Sequence, residues 1–139
     1  MCLAPLILVG YMFTLQPNAS HTTSIDANVV EVQSCEQGLG AHIRATDKGL
    51  YTGGLQYGFT WPLYNGWLVT LLPRVGLSYI THNVPELPLR GQFELGVQAL
   101  LGREHWRVGI EYMHYSNAGL REPNIGMDFA GVVVGGVFQ

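Results

Sequence analysis

The chain has 139 residues, enough for one domain, and its net charge of −3 gives no basic footprint for nucleic acid. Charged residues are 12% of it, about half the usual share of ~25%, while glycine contributes 18 residues. A hydrophobic share of 47% without a run of the ~20 apolar residues that a spanning helix needs excludes a helical membrane protein.

The first element is the apolar run over residues 3–15, LAPLILVGYMFTL. It has the character of the hydrophobic core of a secretion signal, so residues 1–20 are expected to be a signal segment, with Asn18-Ala19-Ser20 near a cleavage point. No Lys or Arg precedes the run, and Pro17 sits where a small residue is wanted. The alternative is that the run is itself a barrel strand. Cys2 falls inside this segment, which would leave Cys35 a lone thiol, a small filler residue rather than a nucleophile.

Residues 21–139 are expected to form a single domain. After a polar stretch from Ser20 to Ala27, strands are predicted near 28–34, 37–46, 50–61, 67–80, 91–101, 105–115 and 128–138. Turn chemistry separates them at Asp47-Lys48-Gly49, Asn65-Gly66, the Pro85 to Pro88 loop, Gly102-Arg103-Glu104, and Pro123-Asn124 with Gly126. A single-chain bacterial barrel needs an even number of strands, so an eighth is expected before residue 28.

The strands share a period of two. Leu39, Ala41, Ile43 and Ala45 alternate with Gly38, Gly40, His42, Arg44 and Thr46. The same grammar sets Leu55, Tyr57, Phe59 and Trp61 against Gly54, Gln56, Gly58 and Thr60. It recurs with Val75, Leu77 and Tyr79 against Arg74, Gly76 and Ser78, and with Phe93, Leu95, Val97 and Ala99 against Gln92, Glu94, Gly96 and Gln98. A water-facing surface is usually rich in Lys and Glu; this minor face is short of Lys and rich in Gly. It reads as the crowded, hydrogen-bonded lumen of a narrow barrel whose apolar face meets lipid. The fold class expected is therefore all-β, an antiparallel transmembrane β-barrel of eight strands in a bacterial outer membrane. Glu111, Arg107, Glu94 and Arg74 would be lumen charges pairing with one another, and His42 structural. Tyr112, Tyr115, Trp61, Trp67 and Trp106 would be girdle aromatics.

Over residues 106–116 the apolar parity is Trp106, Val108, Ile110 and Tyr112, and it ends in His114 and Ser116. A general base and a nucleophile thus fall on the face that touches lipid. In the last predicted strand, Phe138 shares its parity with Val134, Val132, Ala130 and Asp128, which adds a carboxylate to that face on the adjacent strand. With Gln139 in the periplasm, His114, Ser116 and Asp128 cluster at the extracellular end beside the 117–127 loop. Ser, His and a carboxylate form the acyl-transfer constellation, in which His takes the Ser proton and the carboxylate fixes the His tautomer. Residues i and i+2 on a strand stand about 6–7 Å apart at Cα, within reach of a ring and a hydroxyl. The competing explanation is that all three mark the rim where lipid gives way to water. The five histidines have no metal-site spacing, and no metal or cofactor is expected.

The stretch His114 to Phe129, HYSNAGLREPNIGMDF, resembles the signature of the PagL-type outer-membrane lipid A 3-O-deacylases. The upstream RGQFELGVQALLG and the final GVVVGGVF resemble that family too. The motif is fairly specific, because H-x-S-N is followed at matching spacing by P-N-x-G and an acid. The resemblance implies an eight-stranded barrel with a Ser-His-Glu triad on its outer surface, hydrolysing the ester-linked 3-position acyl chain of lipid A. It implies Ser116 as nucleophile and His114 as base. The family's Glu falls on Asp128, one methylene shorter, with Glu122 as the alternative carboxylate. Asn117, Gly119 and Asn124 match positions around the oxyanion, although turn chemistry also accounts for Asn124 and Gly126. Lipid A within lipopolysaccharide is then the substrate and the outer membrane the surroundings. The sequence leaves open whether the barrel is a monomer or a homodimer. The rival functions are a non-catalytic structural or adhesion barrel, and a soluble barrel with its apolar face turned inward around a hydrophobic ligand.

Overall fold

The computed structural model describes residues 4–15, 25–82, 89–120 and 126–138. Among these, eight strands close into one antiparallel barrel: β1 (Leu6–Leu15), β2 (Ala27–Gln33), β3 (Gly38–Thr46), β4 (Leu50–Pro62), β5 (Trp67–Ile80), β6 (Gly91–Arg103), β7 (Trp106–Ser116) and β8 (Met127–Val137). Each strand pairs with its chain neighbours, and β1 closes the cylinder against β8 from Leu6↔Val137 to Leu15↔Asp128.

The apolar run expected as a signal segment lies in the barrel wall as β1, which is the alternative the sequence left open. Without it, β2 and β8 would each present an open row of backbone donors and acceptors, which lipid cannot satisfy. That the sequence admits both has a physical cause. Leu6, Leu8 and Met12 fill the lumen while Val9, Tyr11 and Phe13 face outward, so β1 is apolar on both sides and carries no alternation. This is the eighth strand expected before residue 28. Cys35 is also corrected: it is held in a disulfide and is not a lone thiol.

Elsewhere the alternation has the expected hand. Leu39, Ile43, Leu55, Leu77, Leu95, Val108 and Ile110 are exposed on the outer wall, whereas His42, Arg44, Gln56, Arg74, Glu94, Gln98 and Glu111 are buried within. This outward apolar band is the reverse of the soluble-barrel alternative.

The lumen is packed in layers. Toward the end where β7 stops, Met12, Ile25, Leu50, Ile80, Met113, Tyr115, Met127 and Phe129 form an apolar plug. A second, smaller group of Leu6, Leu8, Leu72, Leu100 and Val133 lies toward the other end. Between them runs a charged network. Glu31 accepts from Arg44 Nε at 2.7 Å and from both terminal nitrogens of Arg74, at 2.9 and 3.0 Å. Arg44 reaches on to Glu111 at 2.6 Å, which also accepts from Gln98 at 2.9 Å. Glu94 is shared by His42 at 2.9 Å and the Tyr115 hydroxyl at 2.8 Å. The expected lumen charges are therefore inside, but they do not pair with one another. Arg74 takes Glu31, Glu111 takes Arg44, Glu94 takes His42, and Arg107 takes Glu36. Tyr115, expected in the girdle, is a lumen residue in edge contact with Phe129.

Candidate active site

The geometry of the site follows from the β7–β8 register. These strands pair antiparallel with His114 directly opposite Asp128 and Tyr112 opposite Ala130. Since side chains alternate, Tyr112, His114 and Ser116 form one outward row on β7, and Asp128 stands beside it on β8. Cross-strand partners on the same face sit within side-chain reach.

Asp128 Oδ1 lies 2.7 Å from His114 Nδ1. A carboxylate only accepts, so Nδ1 carries the proton and donates it, which leaves Nε2 of a neutral ring as a proton acceptor. The side chains are 37% and 27% exposed, an edge position open to the outside of the barrel rather than a closed cleft. The Tyr112 hydroxyl donates to the same Oδ1 at 2.6 Å. Ser116 shares the face, two residues beyond His114 and half-buried.

The surroundings are apolar. Leu95 stands opposite His114 and Phe93 opposite Ser116 on β6, and Leu15 of β1 lies opposite Asp128 on its far side. Further down the wall, Val69, Ala99, Val108, Ile110 and Val132 line a shallow hollow of about 390 Å³. A chain of methylenes placed along this surface would meet only hydrocarbon.

The turn after Ser116 is built by Asn117. Its side chain is buried, and its Oδ1 accepts from the Gly119 N–H at 3.0 Å, while its carbonyl accepts from Leu120 N at 3.1 Å. Ala118 and Gly119 take the left-handed conformations this tight turn requires, with φ of 53° and 80°. The Gly119 N–H, expected near the oxyanion, is thus occupied by Asn117 in this arrangement. Asn124 and the alternative acid Glu122 lie outside the described residues.

Two residues were missed by sequence reasoning. Tyr112 looked like a girdle aromatic; its parity with His114 was visible, but its diagonal reach to Asp128 required the strand register. Gly126 looked like turn chemistry alone. It has φ of +73°, and a Cβ there would come 2.8 Å from His114 Cε1 and 3.2 Å from Nε2. The absence of a side chain at 126 is what makes room for the imidazole.

Comparison with known proteins agrees with this architecture. A family model described as lipid A 3-O-deacylase (PagL) matches residues 37–136. The crystal structure of the outer membrane enzyme PagL superposes with a TM-score of 0.60 and 14% identity, covering 92% of this chain and 97% of that one. The backbone structure of the Yersinia pestis outer membrane protein Ail, determined in a phospholipid bilayer nanodisc, gives a TM-score of 0.51 and 10% identity, covering 97% and 99%. At such identities the two structures establish likeness of fold alone. No curated protein sequence matches the chain.

Proposed function

The chain belongs to the lipid A 3-O-deacylase (PagL) family of outer-membrane barrels, and from that premise we propose that it removes the ester-linked 3-position acyl chain of lipid A by a Ser–His–Asp mechanism. The observation that carries this reading is the 2.7 Å contact between His114 Nδ1 and Asp128 Oδ1 on the lipid-facing wall, beside Ser116. An acyl chain of a membrane-embedded lipid is presented from that side.

In this mechanism Ser116 Oγ attacks the ester carbonyl while His114 Nε2 takes its proton. Asp128 holds the ring in the required tautomer and stabilises the imidazolium. The tetrahedral intermediate collapses, its C–O bond to the sugar breaks, and the departing sugar oxygen takes the proton from His114 and leaves as a hydroxyl. Water, activated by the same ring, then releases the fatty acid and restores Ser116. Asn117, Gly119 and Asn124 are the residues we assign to the oxyanion and substrate. For Gly119 this requires its N–H to exchange Asn117 Oδ1 for the oxyanion, a stronger, charge-assisted acceptor. The shorter Asp128 serves in place of Glu because the register sets it directly across from His114.

The test is mass spectrometry of lipid A from cells expressing the wild type or Ser116→Ala. Loss of one hydroxyacyl chain in the wild type only is the expected result. Unmodified lipid A from a folded, membrane-inserted wild type would overturn the reading and leave a non-catalytic structural or adhesion barrel.

A further inference from the structure

The carboxylate of Asp128 is gripped from two sides, and the histidine accounts for only one. Tyr112 and His114 donate to the same oxygen, Oδ1, at 2.6 and 2.7 Å. They are i and i+2 on β7, while Asp128 is opposite His114 and diagonal to Tyr112. The Tyr112 ring is 42% exposed on the lipid-facing wall, as a girdle aromatic would be, yet its hydroxyl is turned across to the neighbouring strand.

An aspartate rotates about two bonds and, with one donor, can swing or exchange oxygens. On a wall of low polarity an anion is steadied by each charge-assisted hydrogen bond it accepts. A second donor on the oxygen that holds the imidazole fixes that oxygen in position, and through it the direction of Nε2. We propose that Tyr112 is a positioning residue for this site, acting through Asp128 to keep His114 aimed at Ser116. This rests on the Ser–His–Asp reading above. Tyr112 touches neither the ester nor Ser116 in this scheme, so it contributes to the chemical step and not to lipid binding.

A double-mutant cycle tests this, with rates on lipid A in detergent micelles normalised to folded barrel by heat-modifiable gel mobility. Tyr112→Phe keeps the ring in lipid and removes only the hydroxyl. It should lower kcat about tenfold with KM unchanged, the order expected for one hydrogen bond to a charged group. In an Asp128→Ala background the same substitution should change nothing, because the group it acts through is gone. If Tyr112→Phe reduces the yield of folded barrel, Tyr112→Leu is put through the same cycle. An unchanged kcat, an effect confined to KM, or equal losses in both backgrounds would each overturn the proposal. The underlying reading fails separately: it is lost if Ser116→Ala keeps wild-type activity, whereas an inactive Ser116→Ala beside a fully active Tyr112→Phe removes the positioning role alone.

Discussion

Gly126 lies against the imidazole of His114, so closely that a methyl group at position 126 would stand 2.8 Å from Cε1. The same methyl would meet the Tyr115 carbonyl oxygen at 2.8 Å, which blocks escape in that direction. Gly126→Ala should therefore push the ring off Asp128 and also strain a backbone held at φ +73°. The expected result is a loss of activity of roughly a hundredfold, as misplacement by about an ångström can cause, against a stability cost of only about 1–3 kcal/mol. Parallel measurement of deacylation and of the thermal unfolding midpoint checks this; an active variant would mean that the ring has room to spare.

The protonation state of His114 gives a second prediction. Its Nδ1–H is directed at Asp128, so only Nε2 can receive the serine proton, and only when the ring is neutral. A proton on Nε2 removes the acceptor that the serine proton needs, so the rate should fall on acidification. A rate that does not fall on acidification, measured with folded protein throughout, would argue against His114 as the base.

A third concerns Asp47 in the turn between β3 and β4, outside the membrane-spanning segments. Asp47 accepts from both the side chain and the backbone N–H of Asn28, at 2.7 and 2.9 Å. These bonds, the side-chain one first, hold its carboxyl below the ordinary carboxylate range. A depressed carboxyl contributes stability that is fully present above its unfolded value and lost as pH falls through the folded one. The clamp should persist through mild acid and open only below the usual Asp range. Hydrogen exchange at the Asn28 amide reads this, with Asp47→Ala expected to abolish the protection at every pH.

The lumen network supplies a fourth. Arg44 is fully buried between Glu31 and Glu111 at 2.5 and 2.6 Å. Removing it leaves two carboxylates facing each other with less compensation, which costs about 3–5 kcal/mol for a broken buried pair. Arg44→Met should lower the thermal unfolding midpoint markedly while leaving the specific activity of the surviving folded barrel close to wild type, since Arg44 bonds to Glu31, Glu111 and Met113 and to none of the site residues. Restoring balance with Arg44→Met and Glu111→Gln together should recover part of the loss.

Much of this molecule was legible before the structure, for one physical reason: a barrel wall separates two solvents, and the period of two records which side each residue meets. Leu39 to Thr46 and Gln92 to Ala99 announce their faces residue by residue, and parity alone put His114, Ser116 and Asp128 on the outside. Where both sides of the wall are apolar the record is blank, and the β1 run is compatible with a secretion signal as well as with a strand. Contacts across the lumen were also illegible. Arg44 and Glu111 are 67 positions apart, and nothing in their spacing prefers that pairing over one among Glu111, Arg107, Glu94 and Arg74. Tyr112 and Gly126 lay between these cases. Their positions were visible, but their roles depended on how β7 and β8 are set against each other.

The layered filling of the lumen has a consequence for the cell that hosts the protein. Among the described residues, salt bridges and apolar plugs stand where a porin keeps water, and they leave solutes no route between them. Ester hydrolysis on the outer wall, as proposed, demands none. On that reading, copies can accumulate in a membrane, each adding hydrolytic capacity, without raising conductance or weakening the permeability barrier that the same membrane exists to maintain.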